Sequence, residues 1–514
     1  MKKLSAFADS LGAVDRVGDS DPRISGLVYD SRRVTPGSLF FALPGIHADG
    51  SAFIPEAIRR GALAVVHERP LESYDPSVVY LRVKDARFAM SPAAAAFNDH
   101  PSRDLVIIGV TGTEGKSTTV SLVWQLLGLC GVRAGFISTV EYCVADEALA
   151  NPEHQTTPEA VTIHGKLAEM RDNGLTHAVI ESSSHGLSSR TNRLGDVLFD
   201  VGIMTNVTHE HLEFHGTREQ YKSDKANLFR ALDLHDHVKA GKPVPSFGVV
   251  NEEDTASVYF RDATKKPVYG YSTWANTRRG LSASGISNDA RGSSFDVTCG
   301  EVTLPARINL PGSFNVYNAL AAAITVARTL ERPLADVIAL LPDLVPVKGR
   351  MTVVDEGQPF EVLVDYAHTP SSFQAIFPAL RKRISGRIIS VFGSGGERDT
   401  VKRPEQGRVA ADYSDVVILS DEDPRGEEPM DILEQIARGC PELARDEALY
   451  LIPNRPEAIR KAVSLAAPGD LVLLLGKGHE NSIIYRDRVD PYDEIAEARN
   501  ALREAGYGPK GGPA

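Results

Sequence analysis

Lys116 and Ser117 close the run Thr111-Gly112-Thr113-Glu114-Gly115, which lies between an apolar stretch (Val106, Ile107, Ile108) and residues at helical spacing (Val120, Val123, Leu126, Leu127). Glycines in such a turn let backbone N–H groups point inward at a helix N-terminus. Lys116 then supplies a point charge to outer phosphates, and the hydroxyl of Ser117 or Thr118 suits Mg²⁺. A nucleoside triphosphate fits that chemistry. The strict G-x-x-x-x-G-K-[ST] pattern would need glycine at 110, where Val110 stands; the glycines fall at 109, 112 and 115. A second group follows. Glu181 ends the apolar run Thr176 to Ile180, where nucleotide-binding α/β sheets hold Mg²⁺. His209, Glu210 and His211 invite a zinc reading, but H-E-x-x-H would need histidine at 213 and Glu213 is there. Oxygen ligands with one histidine suit Mg²⁺ better. Lys225, in a helical stretch from Tyr221 to Phe229, is by default a solvated helix lysine.

The elements around these residues predict strand, phosphate loop and helix from Leu105 to Leu129, with Gly131 ending the helix. Strands are expected at Ala62 to Val66 and Val201 to Asn206, and helices at Ile54 to Arg60 and Ala319 to Leu330. From Val353 a separate doubly wound pattern begins, with strands at Glu361 to Asp365, Ile388 to Phe392, Val416 to Leu419, Leu449 to Ile452 and Leu471 to Leu475. Gly393-Ser394-Gly395-Gly396 follows one of them, but Arg398 occupies the position where a dinucleotide fingerprint needs its last glycine. A linker is expected between Pro342 and Gly349. The partition is therefore a small N-terminal α/β domain (1–102), a central nucleotide-binding α/β domain (103–345) and a C-terminal Rossmann-like domain (346–514).

The length of 514 residues suits several cores, with 42% hydrophobic and 24% charged residues, an ordinary soluble composition. A net charge of −12 argues against a nucleic-acid partner, and no apolar run reaches the length of a membrane span. The four cysteines (130, 143, 299, 440) lie far apart, which predicts neither a disulfide framework nor a zinc knuckle and fits a reducing cytoplasm. Alternatives are a nucleotide-dependent switch using the same loop, or a binding scaffold without catalysis.

Several further stretches coincide with one pattern: TTPEA at 156–160, ESSSHGL at 181–187, TNVTHEHLEFHG at 205–216, YKSDKANLF, GSFNVYNALAA, KGRM, DYAHTP, GSGGERDTVKRP, DPRGEEP and GKGHE. With TGTEGKST, they make the chain resemble the Mur ligase family over nearly its whole length, nearest to members that join a diamino acid to UDP-N-acetylmuramoyl-L-alanyl-D-glutamate in peptidoglycan synthesis. Folylpolyglutamate synthase shares the central and C-terminal architecture, but the N-terminal DSR and HADG stretches favour a UDP substrate. The family's phosphate loop usually reads TGTNGK, so Glu114 departs from it and adds negative charge beside the phosphates.

The resemblance implies a monomeric cytoplasmic ligase that uses ATP and Mg²⁺. Ser31, His47 and Ala48 would contact the uridine diphosphate; Thr156, Thr157, Ser183 and either Arg190 or Arg193 would face the muramoyl-peptide. ATP would lie on Thr111 to Thr118 and on Asn315, Asn318, Arg350, Asp365 and His368. Metal would be held by Ser117, Glu181, His211 and Lys225, the last as a carbamate (N6-carboxylysine), as in relatives with the Y-x-x-x-K helix. Lys116, Lys225, His211 and Glu181 would carry the catalysis. Arg398, Glu422, Asp423, Arg425, Gly476 and Glu480 would receive the amino acid. Members that add meso-diaminopimelate read DNPR where this chain has Asp423, and a carboxylate there favours the ammonium of lysine or ornithine, whereas Arg425 favours a distal carboxylate.

Overall fold

The computed structural model describes residues 1–45, 49–151, 155–208, 212–274, 277, 279–289 and 292–508. The chain forms two compact units: the first holds Met1–Ser282, Cys299–Val302 and Leu320–Ile338, the second Ala283–Thr298, Thr303–Ala319 and Ala339–Ala514.

In the first unit, the N-terminal sheet runs in the order Asp15–Val17, Val79–Arg82, Ala64–His67, Ser38–Phe41, Gly26–Val28. All but the first pair are parallel. Strands buried on both faces are mainly apolar, and Ser38–Phe41 and Ala64–His67 are buried at every position, their polar end residues Ser38 and His67 hydrogen-bonded to the carbonyls of Thr35 and Arg69. The helix Ala86–Phe97 covers one face with Ala89, Met90, Ala93 and Ala94.

The larger sheet of this unit is centred on Val106–Thr111, all six residues buried, with His177–Glu181 and Val201–Met204 parallel on either side. It extends through Ala134–Ile137 on one flank and through Phe247–Asn251 and Val268–Ser272 on the other. Register brings Glu181 opposite Val110 and Met204 opposite Thr111. The C-terminal ends of three neighbouring strands therefore meet the N-terminus of the helix Lys116–Leu129, the usual place for a ligand in an open α/β sheet. That helix ends at Leu129, and Gly131 follows at φ +81°, as its position predicts.

The second unit carries a six-stranded sheet in the order Thr352–Val353, Glu361–Asp365, Leu471–Leu475, Ile388–Phe392, Val416–Leu419, Leu449–Leu451. The five strands expected from the sequence are parallel, and the short first one joins antiparallel. Helices cover both faces: Phe373, Phe377, Val409 and Leu433 on one side, Ile459, Val463, Ala498 and Leu502 on the other. The doubly wound reading of this region is what the fold contains. Gly280–Asn288, Ser293–Cys299 and Val302–Ile308, hydrogen-bonded in that order, were not foreseen, because their alternation is diluted by serine, threonine and glycine.

All four cysteines are free thiols. Among the described residues, no helix is long and apolar enough to cross a membrane.

Candidate functional site

The strand Val106–Thr111 delivers the chain into Gly112, whose φ of +152° and contacts exclude a side chain: a Cβ there would lie 1.8 Å from Thr205 Oγ1. The loop is then pinned from the neighbouring strand end. Thr113 N–H donates to Asn206 C=O (2.8 Å) and Glu114 N–H to Asn206 Oδ1 (2.8 Å). Thr205 Oγ1 donates to the Glu114 carbonyl (2.7 Å). Thr113 Oγ1 sits 3.1 Å from the Tyr221 hydroxyl and accepts from Thr208 N–H (3.0 Å). Gly115, at φ +78°, caps the helix that begins at Lys116, so the free N–H groups of its first turn face the loop. Lys116 Nζ donates to the Thr113 carbonyl at 2.6 Å. Thr111 and Thr118 are buried beside these residues.

Ser117 Oγ donates to Glu181 Oε1 (3.0 Å), and Thr139 N–H donates to Glu181 Oε2 (2.8 Å). Glu181 is 1% exposed. A hydroxyl and a carboxylate, both hard oxygen donors at the mouth of a phosphate loop, fit Mg²⁺. Ser117 rather than Thr118 is the hydroxyl paired with the carboxylate. His211, the third ligand expected, lies outside the described residues.

Lys225 corrects its default reading as a solvated lysine, being 1% exposed on the helix Arg218–Ala231. Its Nζ donates to the Gly112 carbonyl at 2.5 Å and stands 4.4 Å from the centre of the Tyr221 ring. The helix is amphipathic, so a buried lysine required the phosphate loop to come to it, which spacing alone does not reveal.

Beside this lies a cluster that the sequence did not single out. His215 Nδ1 is 2.7 Å from Asp224 Oδ2, its Nε2 is 3.0 Å from Ser184 Oγ, and Gln220 Nε2 donates to Asp224 Oδ1 (2.9 Å). It ties the segment after Glu181 to the helix that carries Lys225.

Of the residues expected at the muramoyl-peptide, Thr157 Oγ1 donates to the Glu181 carbonyl (2.8 Å) and accepts from Ser183 N–H (2.9 Å). Ser183 in turn accepts from Gly186 N–H, and Thr156 is half-buried. Arg193 donates to the Thr157 carbonyl (2.8 Å) and to Glu159 (2.9 Å), whereas Arg190 is exposed, donates to the Phe214 carbonyl and lies over the Phe214 ring. Arg193 is thus the arginine held beside Thr157. Ser31 is buried at the start of a 3₁₀ turn capped by Asp30, which also pairs with Arg32. His47 and Ala48 lie outside the described residues.

A separate group in this unit joins Asp200, His235 and His237 closely enough for a metal. Each ring already meets a backbone carbonyl, His235 that of Phe199 and His237 that of Leu232, both at 2.7 Å. Lys239 Nζ stands 3.0 Å from Asp200 Oδ2 and supplies the countercharge. Since Asp200 also accepts from Ile107 N–H (2.9 Å), the cluster anchors the strand that feeds the phosphate loop.

In the second unit, Asn315 and Asn318 open the helix Phe314–Thr329, with Asn318 Nδ2 donating to Asn315 Oδ1 (3.1 Å). Asp365, at the end of its strand, accepts from Met351 N–H and Ala367 N–H, both at 2.8 Å. Burial raises its pKa despite the nearby Arg350 guanidinium. Arg350 lies 4.7 Å from the centre of the Tyr366 ring, and Tyr366 packs against His368 and His479. Burial, together with Arg350, Lys477, Lys348 and His368, holds His479 well below the ordinary imidazole range, so it is neutral.

Of the residues expected at the amino acid, Glu422, Asp423 and Arg425 follow Val416–Leu419, Gly476 and Glu480 follow Leu471–Leu475, and Arg398 follows Ile388–Phe392. The Gly393–Gly396 loop packs directly on the first of these segments: a Cβ on Gly396 would meet the Pro424 carbonyl at 1.9 Å, so these glycines serve close approach rather than a dinucleotide. Glu422 Oε2 is buried without a hydrogen-bond partner among the described residues and would lie 3.0 Å from a Cβ on Gly476. Asp423 Oδ1 accepts from Lys477 Nζ (2.9 Å) and Ile484 N–H (3.0 Å), and Arg425 Nη2 is 3.6 Å from Oδ2. Glu480 accepts from Lys477 (2.5 Å) and Tyr366 OH (3.3 Å). Arg398 is exposed. Asp423, expected to attract a substrate ammonium, is here already paired with Lys477, a residue of the GKGHE stretch with no role assigned from the sequence. Arg403 was missed as well: fully buried, it donates to both oxygens of Glu427 (2.8 and 2.9 Å) and to the Gly395 carbonyl (3.1 Å), holding the two loops together.

Known proteins bear on this arrangement directly. Family models match three stretches: Mur ligase family, catalytic domain, over residues 23–98; Mur ligase middle domain over 110–326; and Mur ligase, glutamate ligase domain, over 349–478. The chain is 51% identical to the UDP-N-acetylmuramyl-tripeptide synthetase of Treponema denticola, over 98% of each chain. It is 40% identical to the UDP-N-acetylmuramoyl-L-alanyl-D-glutamate--2,6-diaminopimelate ligase of Geobacillus kaustophilus, over 95% of this chain and 96% of that one. A solved structure of a UDP-N-acetylmuramoyl-L-alanyl-D-glutamate--2,6-diaminopimelate ligase aligns with a TM-score of 0.63 at 27% identity, over 98% and 99% of the two chains. Likeness of this extent, on a sheet whose strand ends converge on a phosphate loop, shows that the chain belongs to the Mur ligase family of ATP-dependent ligases, built from three α/β domains.

Proposed function

We propose that this ligase joins a diamino acid to UDP-N-acetylmuramoyl-L-alanyl-D-glutamate in the cytoplasm, acting as a monomer, with domains at 1–102, 103–345 and 346–514. The observation that carries the reading is the buried Ser117–Glu181 pair at the mouth of a phosphate loop whose backbone is fixed by Thr205 and Asn206. The names of the full-length relatives support the substrate class.

A carboxylate is a poor acyl donor, because it offers an attacking amine no adequate leaving group. The γ-carboxylate of D-glutamate therefore attacks the γ-phosphorus of ATP, the bond to the bridging oxygen breaks, and ADP leaves. The neutral amine of the amino acid then attacks the carbonyl carbon of the acyl phosphate; phosphate departs and the amine loses its proton. Thr111 to Thr118 cradle the phosphates, and Lys116 offsets charge on the transferring group, an effect of position and electrostatics. Asn315, Asn318, Arg350, Asp365 and His368 are proposed for ATP. Ser117, Glu181, His211 and a carbamylated Lys225 would hold Mg²⁺, which when bound neutralises phosphate charge. Thr156, Thr157, Ser183 and Arg193 are proposed for the muramoyl-peptide, and Ser31, His47 and Ala48 for the uridine diphosphate.

For the amino acid we favour a side chain ending in an ammonium, as in lysine. With Arg398 exposed, Glu422, Asp423 and Glu480 stand against Lys477 and Arg425 in the more buried part of this group, and Glu422 Oε2 has no hydrogen-bond partner among the described residues. Diaminopimelate is the second reading, supported by Arg425, whose Nε is also buried without a hydrogen-bond partner among the described residues. The test is a mass spectrum of the product from ATP, UDP-N-acetylmuramoyl-L-Ala-D-Glu and a panel of diamino acids. The expected product is the dipeptide substrate plus one diamino acid less water, with ADP release that requires both co-substrates. ADP release without them would indicate a switch, and no release a scaffold.

A further inference from the structure

We propose that Lys477 is a specificity-setting residue, whose ammonium, bridging Asp423 and Glu480, determines how much negative charge the pocket shows the far end of the incoming diamino acid. This rests on the proposal that the amino acid is received here. Lys477 is 0% exposed, with Nζ 2.9 Å from Asp423 Oδ1 and 2.5 Å from Glu480 Oε2. Such a side chain acts through the two carboxylates rather than by meeting the substrate. Both carboxylates have other fixed partners: Ile484 N–H for Asp423, the Tyr366 hydroxyl for Glu480. Their positions are therefore held by several bonds, while Lys477 is the cation that bridges both; Arg425 Nη2, 3.6 Å from Asp423 Oδ2, faces Asp423 alone. Burial alone would lower the Lys477 pKa, but Glu480 and Asp423 outweigh it and raise it, so the ammonium stays charged at neutral pH.

The consequence is directional. Removing the Lys477 charge makes the pocket one unit more negative, which favours a terminal ammonium and disfavours a terminal carboxylate. Removing the Asp423 charge does the reverse. The experiment measures kcat/KM for L-lysine and meso-diaminopimelate, with ATP and the UDP-muramoyl-dipeptide, in wild type, Lys477→Met, Asp423→Asn and the double variant. Lys477→Met should raise the lysine-to-diaminopimelate ratio about tenfold or more, and Asp423→Asn should lower it by a similar factor. The double variant restores the balance and should return the ratio to within about threefold of wild type. Folded single variants that lose activity on both amino acids equally overturn the inference, because that is the mark of a merely structural lysine. Should Lys477→Met not fold, Asp423→Asn decides alone, and an unchanged ratio is the overturning result. Wild-type protein that joins neither amino acid overturns the functional reading instead, and the inference with it.

Discussion

Glu181 and Lys225 illustrate how little a residue's type says before its neighbours are known. A glutamate at a strand end is ordinarily solvated, yet Glu181 is buried between Ser117 Oγ and Thr139 N–H. Glu181→Ala should lower turnover by on the order of 10²-fold or more, with ATP affinity changed far less. Measured by product formation and nucleotide titration, wild-type turnover would remove Glu181 from the site. Lys225→Ala should be similarly inactive and partly rescued by short carboxylates if the native group is a carbamate. Asp421 allows a pH prediction. Burial pushes its pKa up to about 6, only partly opposed by the Tyr485 hydroxyl that donates to it (3.0 Å). A carboxyl whose folded pKa is raised stabilises the protein when protonated, and that contribution is lost as pH rises from about 4 through 6. Asp421→Asn, which can still accept from Tyr485, should remove this loss and stabilise the protein at pH 8 by on the order of 1–2 kcal/mol. Thermal midpoints of both proteins across pH 4 to 8 provide the check; parallel curves would mean that Asp421 does not titrate there.

At the scale of elements, the strands and helices that build the site were legible because their patterns are strong. Val106–Thr111 and Leu471–Leu475 are mainly apolar runs followed at once by Gly112 and Gly476, and both form buried parallel strands. Thr352–Val353 was not legible, since two residues carry no period. What joins elements was hidden for a different reason. Arg455, at the start of the helix Arg455–Leu465, donates to both oxygens of Glu494, at the start of Glu494–Glu504 (2.8 and 2.6 Å), and to the carbonyls of Leu475 and Asp421. Both side chains are fully buried. Arg455→Met leaves a buried carboxylate without its cation and should cost about 3–5 kcal/mol of stability. Glu494→Leu in that background should recover part of it. Urea titration reads both effects, and a loss below about 1 kcal/mol would mean that water replaces the guanidinium.

At the scale of the whole molecule, family and fold class were within reach of the sequence, because short motifs record local requirements: glycine where a side chain would collide, lysine and serine where a helix begins beside phosphate. Such requirements act within a few residues, so the order of residues displays them. The sequence therefore determined the phosphate loop, the parallel strands, the doubly wound C-terminal region and the membership that the comparisons establish. Only the tertiary structure decided which charges meet. Asp423 and Lys477 are 54 positions apart, Ser117 and Glu181 are 64 apart, and Lys225 meets Gly112 across 113. A charged residue means one thing in water and another beside a buried partner, because burial removes the solvent that would otherwise screen it. That is why the meeting of Lys225 with the Gly112 carbonyl and of Asp423 with Lys477 shows only once distant strand ends are packed together.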